Sequence, residues 1–111
     1  MDAISFSDFE KVDIRIGTVV EADIPSWSHW VMKLTVDLGE EIGKRTIFAG
    51  LIKNYTVKDI KGKQFPFVVN IEPKKIGSEG DFSQGMMLAG GDERPYIFQL
   101  QEKVPNGTKV R

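Results

Sequence analysis

"VVNIEPKKIGSEGDFSQGMMLAGG", Val68 to Gly91, decides how this 111-residue chain is read. It opens as an apolar strand and leaves through Pro73-Lys74-Lys75. A Gly/Ser/Asp-rich loop follows, then Ser83-Gln84-Gly85-Met86 runs into a second apolar strand. The two strands need each other to bury their apolar faces. The loop between them puts two lysines, Phe82 and small polar groups at a sheet edge. That composition suits an extended anionic ligand better than chemistry on a small one.

Outward from this block the chain keeps reading as short strands. "IRIGTVVEAD" alternates and predicts Ile14, Ile16, Thr18, Val20 and Ala22 on one face, with Gly17 marking a bulge or bend. "VMKLTVDL" alternates again, with Met32, Leu34 and Val36 inward; "GEEIG" is a turn and "KRTIFAG" a third strand. "LIKNYTVKDIKGK" changes period and predicts one or two helical turns stopped at Gly62. "QFPFVVNI" is a fourth strand whose Pro66 implies an edge or a first position. "GMMLAG" is a fifth and "YIFQL" a sixth, followed by the turn "VPNGTKV". Upstream, Ser7 with Glu10 has capping-box spacing, and Phe6 stands where a staple residue would. The expected fold is all-β with a small α insert: a five-stranded OB-fold barrel with a short helical segment between strands three and four. Another small barrel or a sandwich has the same strand count. Residues 1–111 are expected to form one domain.

Composition narrows the function. There is no cysteine and one histidine, His29, so neither a thiolate site nor a multi-histidine metal cluster is available, and no cofactor is expected. Asp8, Glu10 and Asp13 are explained by capping and solvation. No nucleophile–base set remains, and an enzyme is not expected. No apolar run reaches the roughly 20 residues of a membrane span, and the acidic start lacks the pattern of a signal peptide. The cytoplasm is the expected location.

The formal net charge of −1 conceals a strong segregation. Met1 to Gly43 carries nine acids and three bases, Lys44 to Lys75 eight bases and two acids, and Ile76 to Arg111 five acids and four bases. The basic charge therefore gathers in the middle third. Lys58 and Lys61 read as a solvated helix and turn. Lys53, Lys74 and Lys75 lie near the loop face and are candidates for phosphate contact.

"FEKVDIRIGTVVEAD", "TVDLGEEIG", "FAGLIKNY", "IKGKQ", "VVNIEPKKIG" and "SQGMMLA" together resemble the tRNA-binding domain found alone or appended to methionyl-tRNA synthetases and to the endothelial monocyte-activating polypeptide. The resemblance runs from about Phe9 to Leu100. It implies an OB-fold, a tRNA ligand and a homodimer built with the help of the chain termini. An aminoacyl-tRNA synthetase served in trans is a further implied partner. The chain is also similar to the secretion chaperone CsaA in "KLTVDLGEEIG" and "VPNGTKV", and departs from that branch at Ser83, Gly85 and Met86.

The family's RNA-binding positions fall on Asn70, Lys74, Lys75, Ser83 and Met86. Lysines supply point charges for phosphates, and serine and asparagine short donors. Met86 offers a polarizable surface to a base or sugar, or else belongs to the core. Gly77, Gly80 and Gly85 read as turn formers. The loop "PSWSHWVM" departs from the family's Pro-Asn-Ala-Asp-Lys-Leu-like stretch and lacks its lysine. In its place stand Trp27 and Trp30, which would be buried at a dimer interface, fold back on the barrel, or, with Phe82, stack on bases or form an apolar patch for unfolded peptides. A CsaA-like chaperone for extended apolar peptides is thus the alternative to a tRNA-binding protein.

Overall fold

The wall of the molecule follows from period-2 alternation. A computed structural model describes residues 1–77 and 81–111. Helix α1 (Phe6–Glu10) leads into strands β1 (Ile14–Asp23) and β2 (Met32–Asp37). One helical turn, α2 (Gly39–Ile42), precedes β3 (Lys44–Ala49), and another, α3 (Val57–Ile60), precedes β4 (Gln64–Val68). Short pieces complete the described chain: β5 (Lys74–Ile76), β6 (Asp81–Ser83), β7 (Met86–Met87), β8 (Ala89–Gly90), β9 (Tyr96–Ile97) and β10 (Lys109–Val110).

The main sheet runs β3-β2-β1-β4-β7, with β10 also paired to β1. It curls almost shut. Gln84 N–H donates to Thr46 O at 2.8 Å, and Thr46 N–H donates to Gln84 Oε1 at 2.9 Å, joining the two ends. The interior is filled by Val19, Met32, Leu34, Val36, Leu38, Ile47, Leu51, Ile60, Phe65 and Phe67, all essentially without solvent contact. This is the expected OB-type barrel with small helical inserts. α3 plugs it, held by a capping box in which Asp59 accepts from Thr56 N–H at 2.8 Å. That bond holds the Asp59 carboxyl below the usual carboxylate range.

Several local expectations change. The register of β1 shifts between Val19 and Glu21, so Val19 and Ala22 point inward while Thr18 and Val20 are only half-buried. The extra residue of a bulge moves the apolar face by one position. Gly17 is not the bulge. A Cβ there would stand 2.6 Å from Val36 Cγ1 and 2.8 Å from Leu38 Cδ2, so the glycine lets β2 approach. Pro66 is third in a strand with neighbours on both sides. It faces Ile16, whose N–H and C=O bond instead to Thr108 and Gly107, so no ladder donor is missed on that side. Ser5 rather than Ser7 caps α1. "GEEIG" is a helical turn between two glycines at positive φ. The fifth and sixth predicted strands shrink to β7, β8 and β9.

The tail is more than a turn. Gln64 is buried and binds it from below: its Nε2 donates to Val104 O (2.7 Å) and Asn106 Oδ1 (3.0 Å), and its Oε1 accepts from Val104 N–H (3.0 Å). Thr18 Oγ1 donates to Asn106 Oδ1 as well, at 2.7 Å. These bonds deliver Lys109 and Val110 to the edge of β1 as β10.

Candidate nucleic-acid interface

The loop expected between the fourth and fifth strands is a hairpin. β5 and β6 pair Lys74 with Ser83, Lys75 with Phe82 and Ile76 with Asp81. Alternation puts Lys74 and Ile76 on one face and Lys75 with Phe82 on the other. Gly80 lies outside the described residues.

Ser83 anchors the hairpin to the barrel. It is only 7% exposed; its Oγ accepts from Phe48 N–H at 3.0 Å and donates to Gly85 O at 3.0 Å. The sequence reading places this hydroxyl on the ligand side; the structure turns it inward, onto the Phe48 N–H at the edge of β3 and the Gly85 carbonyl. Ser83→Ala is therefore expected to cost roughly 1–3 kcal/mol of stability, read as a lowered denaturation midpoint. Asn70 is likewise engaged. Its Oδ1 accepts from Asp13 N–H (2.9 Å) and its Nδ2 donates to Lys11 O (2.6 Å), tying the end of β4 to the α1–β1 junction. Gly85 admits protein rather than ligand: a Cβ there would lie 2.9 Å from Val68 O and 3.0 Å from Ile47 Cδ1.

Between hairpin and barrel lies a groove of about 250 Å³. Phe48, Ile71, Ile76 and Met86 give it an apolar lining, and Lys74 and Glu72 are its charged groups. Met86 is 44% exposed, so it belongs to this surface and not to the core. Lys53, Lys74 and Lys75 are all exposed, and none is ion-paired with a described residue. Lys53 sits in the turn after β3, beside Ile52, whose N–H donates to Trp30 O at 3.4 Å.

The two tryptophans part company. Trp30 is 53% exposed and lies over Gly50. Trp27 is half-buried, 6.1 Å from the Phe48 ring at 42°, and reaches beneath Gly77. Phe82 is 51% exposed on the hairpin's other face. Phe48 was not among the sequence candidates. Its signal was present: Ile47 and Phe48 are adjacent apolar residues in one strand, so one must face outward. Arg45 was also missed; its guanidinium donates to Val69 O and to Gln84 O, bracing the root of the hairpin. Among the described residues there is no His/Cys/Asp/Glu cluster for a metal ion, and no helix is long and apolar enough to cross a membrane.

Barrel, loop and hairpin define an OB-type module with the β1–β2 loop and the β5–β6 hairpin gathered over β3. The family model described as "Putative tRNA binding domain" matches residues 14–109, and the chain belongs to this family. Methionine–tRNA ligase 1 of Bacillus anthracis is 35% identical over 111 residues, covering 99% of this chain. The chain spans only 16% of that ligase's length. Two solved structures are similar over nearly all of both chains. The MetRS-related protein from Pyrococcus horikoshii has a TM-score of 0.90 at 33% identity, with 100% of each chain covered. The chaperone CsaA from Bacillus anthracis has a TM-score of 0.88 at 33% identity, covering 99% of this chain and 100% of its own.

Proposed function

We propose that this protein is a non-catalytic, cytoplasmic tRNA-binding protein that acts as a homodimer and reads tRNA mainly by shape and backbone. The observation that carries the reading is the exposed Lys74, in no ion pair among the described residues, at an apolar groove in a chain of the tRNA-binding family. Lys74 meets a phosphate while the adjoining sugar or unstacked base rests on Phe48 and Met86. Lys75 and Lys53 extend the charge on either side. Asn70 and Ser83 act through the frame they hold. Filter binding of mixed tRNA across a salt series tests this: affinity falls steeply with salt as lysines release counterions, and an absence of saturable binding at low salt refutes it.

The dimer reading rests on the exposed Ile4, Phe6, Phe9 and Val12. Phe6, Phe9 and Val12 line a second groove, of about 270 Å³, with Lys109, Val110 and Arg111. A second copy covering this face gives twice the chain mass in light scattering. The ligase relatives carry the matching region within the enzyme, so an aminoacyl-tRNA synthetase is the protein partner this reading implies.

A second reading has its own support. The groove's apolar lining, with Trp30 and Phe82 exposed, also fits an extended apolar peptide, as the similarity to CsaA invites. Peptide binding would be nearly independent of salt and would alter tryptophan emission. An emission spectrum unmoved by a panel of unfolded peptides removes this reading.

A further inference from the structure

We propose that Trp27 is a positioning residue: it wedges under Gly77 and sets where the β5–β6 hairpin holds Lys74 and Lys75. The proposal rests on the tRNA reading for its consequence, and on packing alone for its mechanism.

The wedge starts in the β1–β2 loop. Ser28 is buried, and its Oγ donates to Val31 O (2.8 Å) while accepting from Val31 N–H (2.9 Å) and Trp30 N–H (3.3 Å). Ser28 N–H donates to Pro25 O at 2.9 Å. The loop is thus a closed turn built around one hydroxyl, and Trp27 leaves it in a fixed direction. One side of the indole rests on Phe48. Toward the hairpin it meets Gly77, where a Cβ would lie 2.7 Å from Trp27 Cζ3 and 2.8 Å from Cη2. Gly77 also has φ +71°, a conformation that L side chains rarely adopt. Two independent constraints, steric and conformational, therefore favour glycine above the indole and strain any side chain placed there.

Among the described residues the hairpin's other ties are gathered at its root, where Ser83 accepts from Phe48 N–H, Gln84 bonds Thr46 and Arg45 donates to Gln84 O; farther out, Lys33 Nζ stands 3.5 Å from Asp81 Oδ2 in a half-exposed pair. Such a pair holds weakly. Trp27 is the apolar support at the end of β5, next to Ile76, and Lys74 and Lys75 are the two residues before that. This chain has no lysine in the β1–β2 loop; it has a residue that presents the lysines of another loop.

The test has one arm without RNA and one with it. In Trp27→Ala, amides of Lys74–Ile76 and Asp81–Ser83 exchange hydrogen roughly tenfold faster, while β1 and β2 keep their protection. Trp27→Phe restores part of that protection. Unchanged hairpin exchange in Trp27→Ala overturns the proposal, whatever the ligand. With mixed tRNA, Trp27→Ala binds about fivefold more weakly and its salt slope falls by about 1, one phosphate contact. Gly77→Ala weakens binding as well, and in the Trp27→Ala background its steric part is gone while the strain of the positive φ remains, so the two changes together cost less than their sum. If wild type binds and Trp27→Ala matches it in affinity and slope, the positioning role is refuted and the tRNA reading survives. If wild type fails to bind at low salt, the tRNA reading fails, and the exchange arm still decides whether Trp27 holds the hairpin.

Discussion

Reversing both lysines, Lys74→Glu with Lys75→Glu, is expected to weaken tRNA binding roughly 100-fold and to lower the salt slope by about 2. Both side chains are exposed on a short hairpin outside the core, so the barrel should keep its stability. Each lysine then exchanges one phosphate attraction for a repulsion. The matched control is Lys58→Glu with Lys61→Glu. Those lysines are exposed too, but they belong to the α3 segment, and Lys61 already stands 3.5 Å from Glu21. The two pairs change net charge equally. If both weaken binding alike, only overall charge matters and the hairpin has no special part.

The largest loss of stability is expected from Phe65→Ala, roughly 3–5 kcal/mol. Phe65 has no solvent contact and sits in β4 between its ladder to β1 and the core. A cavity costs most where its walls cannot move. Here the walls are strands hydrogen-bonded almost all the way around, closed by Gln84 and Thr46. Collapse into the void would break those bonds, so the upper end of the range applies. For a domain whose whole stability is of order 5–15 kcal/mol, thermal unfolding should shift down by about 20 °C. A shift of only a few degrees would mean that the barrel is far more compliant than its hydrogen bonding implies.

Where the barrel obeys a strict two-residue period the chain is easy to read. Met32, Leu34 and Val36 point inward as their alternation demands. β1 misleads because a bulge is a single unpaired residue with no sequence mark of its own; Gly17 drew attention for a different reason, the approach of Val36 and Leu38. The site was half legible. Lys74, Lys75, Met86 and Lys53 are on the surface, where charge and motif put them. Ser83 and Asn70 look like ligand groups in one dimension, because a serine that bonds a phosphate and one that bonds Phe48 N–H are spelled alike. Their partners, Phe48, Gly85, Lys11 and Asp13, come from distant parts of the chain. Trp27 does fold back on the barrel, against Phe48, as one of its sequence readings has it; its contact with Gly77, fifty positions away, leaves no mark in the sequence.

The seating of the cationic hairpin has an evolutionary corollary. It hangs from the β3 edge by a serine hydroxyl, a neighbouring glutamine and the Arg45 brace, touches Trp27 at Gly77, and contributes nothing to the ten side chains that fill the barrel. A different hairpin that kept those contacts could be grafted onto the same scaffold without refolding it. Ligand preference in such a design is interchangeable cargo, and the barrel its indifferent carrier.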